Sequence, residues 1–187
     1  MAKLTAVEFW KQQFDLGGNL AGLWGSTAFD LLTAADVLDR FKGDIRGEIL
    51  KDSEQGMTQL QHERMSVFKI IAMLRAMATE CLLKALWLKH GGKLAKDGKY
   101  LGVLKKNEHH LHKLAKAISK KSKSELVFTT RNLDLLQKAS YWIVSGRYPI
   151  QKYSSYTMDH HQQQAWRGDP AEDLRSLIAK LQTALGN

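Results

Sequence analysis

The longest regular pattern of apolar positions in this chain runs from Thr58 to His90. Val67, Ile71, Leu74, Ala78, Cys81, Ala85 and Leu88 recur in alternating steps of four and three, which places them on one face of a helix. Phe68, Ile70, Met73, Met77, Leu82 and Leu86 widen that stripe until most of the circumference is hydrophobic, so the helix is expected to be central and buried. Thr58-Gln59-Leu60-Gln61 supplies a capping box at its start, and Gly91-Gly92 supplies a stop.

Shorter helical patterns flank it. Leu4, Val7, Phe9, Trp10 and Phe14 mark an amphipathic helix over residues 2–16, closed by Gly17-Gly18. Ser26 is placed to cap a second helix through about Phe41, with Phe29, Leu31, Leu32, Val37 and Leu38 as its buried side. The pattern loosens between Lys42 and Met57. Residues 1–57 carry too little apolar surface to fold alone, and are read as an N-terminal helical extension that packs on the rest.

Beyond the central helix, Gly91 to Asn107 reads as a glycine- and lysine-rich connection. A short helix over about 108–119 turns Leu111, Leu114, Ala115 and Ile118 inward, and a longer one covers Ser124 to Ser145 with Leu126, Leu133, Leu136, Ser140 and Ile143 on one face. Gly146 and Pro149 end that helix. Asp169-Pro170-Ala171-Glu172 then starts a final helix that runs to about Leu185. No alternating strand pattern is present. The expected fold class is all-α, an up-and-down four-helix bundle over 58–187 with the N-terminal extension packed on it.

Charge changes this picture in one place. The net charge is +9, yet residues 84–123 alone hold twelve Lys/Arg against two Asp/Glu, so one block carries the whole excess. Such a block creates a local field for phosphate-bearing partners, whether nucleotide or nucleic acid. The single cysteine, Cys81, excludes an intrachain disulfide and lies on the apolar stripe as a packing residue. No secretory signal and no apolar run of spanning length is found, so a cytoplasmic chain without a membrane role is expected.

Three motifs in order carry a family resemblance: Glu80-Cys-Leu-Leu-Lys84-Ala-Leu-Trp-Leu-Lys-His90-Gly-Gly, His110-Leu-His-Lys-Leu114, and Tyr141-Trp-Ile-Val-Ser-Gly-Arg147-Tyr-Pro149. Over roughly residues 60–185 the chain resembles the HEPN family of small helical domains. The resemblance implies a four-helix up-down bundle, a homodimer, nucleotide or RNA binding, and a defence or toxin-antitoxin setting with a nucleotidyltransferase-type partner protein. Ribonucleases of that family pair an Arg with a His four to six residues later. Here Arg147 is followed by Tyr-Pro-Ile-Gln-Lys-Tyr-Ser, and the next histidine is His160. Binding without catalysis is therefore the first reading, and a metal-independent ribonuclease with a displaced Arg/His pair is the alternative. A helical interaction module whose lysines only keep it soluble is the third.

The residues expected to hold a phosphate-bearing ligand are Lys84, Lys89, Lys93 and Lys99 at the end of the central helix and in its connection, His110 at the short helix, and Arg147, Tyr148 and Lys152 after the long one. Gly91-Gly92-Lys93 has neither the strand before nor the helix after that a P-loop requires. His109, His110 and His112 have no cysteine or spaced carboxylate with them, so neither metal nor cofactor is expected. No catalytic residues are assigned.

Overall fold

The computed structural model describes residues 5–43, 58–104, 109–123, 125–147 and 170–186. Among them the fold is all-α apart from one minimal hairpin. The elements are α1 (Ala6–Gly18), α2 (Ala21–Lys42), α3 (Gln59–Lys89), β1 (Ala95–Lys96), β2 (Lys99–Tyr100), α4 (Leu111–Lys121), α5 (Thr130–Arg147) and α6 (Pro170–Leu185). No helix among the described residues is long and apolar enough to cross a membrane.

α3 is the centre of the molecule, packed against α2, α4, α5 and α6. Its start is the expected capping box: Gln61 donates its amide to Thr58 Oγ1 at 3.2 Å, and Thr58 donates its own to Gln61 Oε1 at 2.8 Å. Its end is the expected glycine stop, with Gly91 at φ +75 and the Gly92 amide on Trp87 O at 2.8 Å. Every residue in 78–86 is buried, so the helix is enclosed on all sides there. Leu82, Leu83 and Leu86 meet Leu114 and Ile118 of α4, Leu136 and Ile143 of α5, and Leu181 of α6 in one core.

The N-terminal helices depart from expectation. α2 begins at Ala21, not after a Ser26 cap, and Ser26 lies inside it. The reason is Asn19, which closes α1 one residue beyond Gly17-Gly18 with its amide on Asp15 O, so the next helix starts within two residues. α2 buries small residues, Ala28 and Ala35, while Phe29 and Val37 of the expected inner side are 65% and 52% exposed. Alanines at the contact let the α2 and α3 axes approach closely. α1 has a Thr5–Glu8 capping box and no buried residue. The segment 44–57, where the pattern loosened, lies outside the described residues.

The connection after α3 contains two short strands where no alternating pattern marks any. Ala95 pairs with Tyr100 and Lys96 with Lys99, antiparallel, around Asp97 (φ 55) and Gly98 (φ 72). Positive φ at both central residues is the geometry that Asp-Gly favours in a two-residue hairpin. α1 lies against this hairpin. Asp15 accepts the Asp97 and Gly98 amides at 2.7 and 2.9 Å, and Asn19 Oδ1 accepts those of Leu94 and Ala95.

α4 begins at Leu111, later than expected, and its apolar residues Leu111, Leu114, Ala115 and Ile118 are fully buried as expected. α5 begins at Thr130 rather than Ser124 because Leu126 and Phe128 are buried in non-helical chain and Thr129 and Asn132 exchange capping hydrogen bonds. α6 runs from Pro170 to Leu185 as expected and stops at Gly186, φ +93. Its expected cap, Asp169, lies outside the described residues.

Candidate functional site

Among the described members of the expected ligand set, Lys84 does not share the exposed surface of Lys89, Lys93 and Lys99. Lys84 is only 6% exposed and faces the interior. Its Nζ donates to Glu80 Oε1 at 2.7 Å and lies 4.9 Å from the Trp24 ring centre and 5.4 Å from that of Tyr100. The spacing of four that reads as a surface pair is here a buried one, boxed by an aromatic ring from α2 and another from β2. Burial pulls the Lys84 ammonium down, but Glu80 and the Tyr100 hydroxyl outweigh it and hold its pKa above the ordinary lysine value.

Glu80 has a second partner. His109 Nδ1 lies 2.8 Å from Glu80 Oε2, so one buried carboxylate joins a lysine and a histidine. His109 and Glu80 were absent from the expected set. The 80/84 spacing was the available signal for the carboxylate; nothing local distinguishes His109 from His110.

Lys89 is exposed and donates to Ala184 O at 2.7 Å, which ties the ends of α3 and α6. Lys93 is exposed, and its carbonyl accepts from Trp87 Nε1 at 3.2 Å. Lys99 is exposed on β2 opposite Lys96. His110 occupies the N-cap position of α4 and makes no side-chain capping hydrogen bond. The Leu111 amide goes instead to Ser140 Oγ of α5 at 2.9 Å. Arg147 is the last residue of α5, and Tyr148, Lys152 and His160 lie outside the described residues.

The surface that does gather charge is α4. Lys113, Lys116 and Lys120 are exposed at steps of three and four, opposite the buried Leu111, Leu114, Ala115 and Ile118. The helix contains no acidic residue, and none of these three lysines pairs with a carboxylate among the described residues. Lys123 follows, exposed, at φ +52, while Lys121 Nζ sits 4.8 Å from the Trp87 ring centre. At 1.5 Å per residue the row from Lys113 to Lys120 extends over about 10 Å.

Two histidines border this row. The His110 and His112 rings meet edge-on at 5.8 Å. Burial, then Lys113 and His109, push the His110 pKa down; burial, then His110, Lys113 and Lys116, do the same for His112. Cys81 is inert: burial, then Glu80, raise its thiol to about 11 against the opposing pull of Lys84. No group of three or more metal-ligating side chains stands together among the described residues.

A second charged cluster crosses α2, α3 and α6. Arg75, 1% exposed, donates to Asp36 at 3.1 Å and Asp39 at 2.8 Å, and Asp39 also meets Lys42 and Arg175. Burial pushes the Asp39 carboxyl up, but Arg75 and Lys42 outweigh it and hold it below its ordinary value. These residues line a cleft of about 940 Å³ between α2 and α6. No protein-family model, curated protein or solved structure matches the chain.

Proposed function

We propose that the chain is a HEPN-like four-helix bundle that binds RNA through the outward face of α4, without cleaving it. The observation that carries this reading is the row of exposed lysines, Lys113, Lys116 and Lys120, on a helix free of acidic side chains. Uncompensated lysines in a line suit a chain of phosphates, whose condensed counterions they release, better than the compact phosphates of one nucleotide. Lys123 extends the row at one end and Lys93 and Lys99 add exposed charge on the preceding connection. The order of long helix, basic connection, short helix, long helix and terminal helix supports the HEPN-like reading.

The test is fluorescence anisotropy with a labelled single-stranded RNA, titrated over a range of salt. The variant carrying Lys113→Ala, Lys116→Ala and Lys120→Ala is expected to bind more weakly, with the slope of log affinity against log salt reduced by about 2. An unchanged slope overturns the α4 face as the interface. Competition by ATP at equal phosphate concentration that matches RNA overturns the preference for a polymer.

A further inference from the structure

We propose that His109 is a phosphoryl acceptor, with Nε2 presented to a small phosphoryl donor while Glu80 holds the opposite ring nitrogen. The inference does not depend on RNA binding. His109 stands just before α4, its Nδ1 at 2.8 Å from Glu80 Oε2 and its side chain 42% exposed. An ionised carboxylate only accepts, so the contact assigns the proton of the neutral ring to Nδ1 and the lone pair to Nε2. The two nitrogens lie on different edges of the ring. With Nδ1 on Glu80, 42% of the His109 side chain is still exposed.

The anchor is built to stay in place. Glu80 has a side-chain exposure of 9%, and its other oxygen receives Lys84 Nζ at 2.7 Å. Lys84 is itself held between Trp24 and Tyr100. A nucleophile oriented by a partner that a third group holds in turn is the arrangement covalent catalysis uses.

The step balances without a proton leaving the site. The Nε2 lone pair attacks phosphorus, and the bond between phosphorus and the donor's leaving group breaks, its electron pair departing with that group. With zwitterionic phosphoramidate as donor, the P–N bond breaks and ammonia leaves. The ring becomes a phosphoimidazolium that keeps its Nδ1 proton, and the positive charge it gains faces the Glu80 carboxylate already in contact.

The experiment treats the full-length protein with potassium phosphoramidate and follows acid-labile phosphate by ³¹P NMR and peptide mapping at each of the seven histidines. The expected result is labelling of His109 at Nε2, roughly tenfold or more faster than at any other histidine. His109→Gln removes the fast label. Glu80→Gln slows it about tenfold while labelling at His110 keeps its rate, which reports that the fold is retained. His109 reacting no faster than the other histidines of the unaltered protein overturns the proposal whatever the variants do, and so does labelling at Nδ1.

Discussion

Arg75 reaches Asp39 across the α2–α3 contact at 2.8 Å, with the guanidinium 2% and the carboxylate 14% exposed. Among the described residues this is the most deeply buried charge that bridges two helices. Replacing Arg75 with Met leaves Asp39 to Lys42 and Arg175 alone and removes the bond to Asp36. The expected loss of stability is about 3 kcal/mol, read as a shift of the urea midpoint without change of slope.

The Glu80–Lys84 pair makes a complementary prediction. Lys84→Met alone leaves the buried Glu80 carboxylate without its lysine, with His109 as its remaining partner, and is expected to cost about 3 kcal/mol. Combining it with Glu80→Gln removes the buried charge that has lost its lysine, so the double variant should be more stable than the single one. Additive losses in a double-mutant cycle would show that the two side chains are not coupled.

The turn of the hairpin is tied to α1 through one carboxylate, beside the Asn19 bonds to Leu94 and Ala95. Asp15→Ala removes the acceptor of both turn amides, those of Asp97 and Gly98. The expected cost is about 1 kcal/mol, and it is local. Amide exchange at Asp97 and Gly98 should accelerate roughly fivefold while exchange in α5 is unaffected.

Three sets of shifted groups give the pH dependence limbs whose signs follow from the direction of each shift. The Asp39 carboxyl is lowered in the folded chain, so its contribution is present above the unfolded value, about 3.9, and is lost as pH falls through the folded value. His110 and His112 are lowered too, so folded stability declines as pH drops below about 6.5 and the unfolded chain takes up protons first. Lys84 is raised, so its contribution is complete below the unfolded lysine value, about 10.4, and is lost as pH climbs through the folded one. Urea midpoints measured from acid to alkaline pH should therefore form a plateau near neutrality. His110→Gln with His112→Gln should remove the decline just below pH 6.5, and Asp39→Asn should flatten the acid end.

α3 was legible because its signals are local and redundant: a capping box, a continuous apolar surface and a glycine pair all agree on one helix. α6 was legible for the same reason. The β1–β2 hairpin was missed because two-residue strands are too short to show alternation, and its only mark is the Asp97-Gly98 dipeptide. Ser26 looked like a cap because serine suits one, but Asn19 had already ended α1. At the candidate site, Glu80 and Lys84 announce each other by spacing, while their burial depends on Trp24 and Tyr100, which arrive from other elements. His109 and His110 both precede the first residue of α4, so helical periodicity does not say which of them meets Glu80. The lysine row was hidden inside a larger charge count and became visible only when α4 showed which lysines share a face.

The nine consecutive buried residues 78–86 have a consequence in time as well as in space. Their amides are covered by α2, α4, α5 and α6, so no single helix can lift away and expose them. Deuterium should enter this stretch only when the whole chain opens, and its exchange rate in water reads out the global unfolding equilibrium. α1, with no buried residue, sits at the other end of that scale, and its amides are expected to exchange ahead of those of residues 78–86.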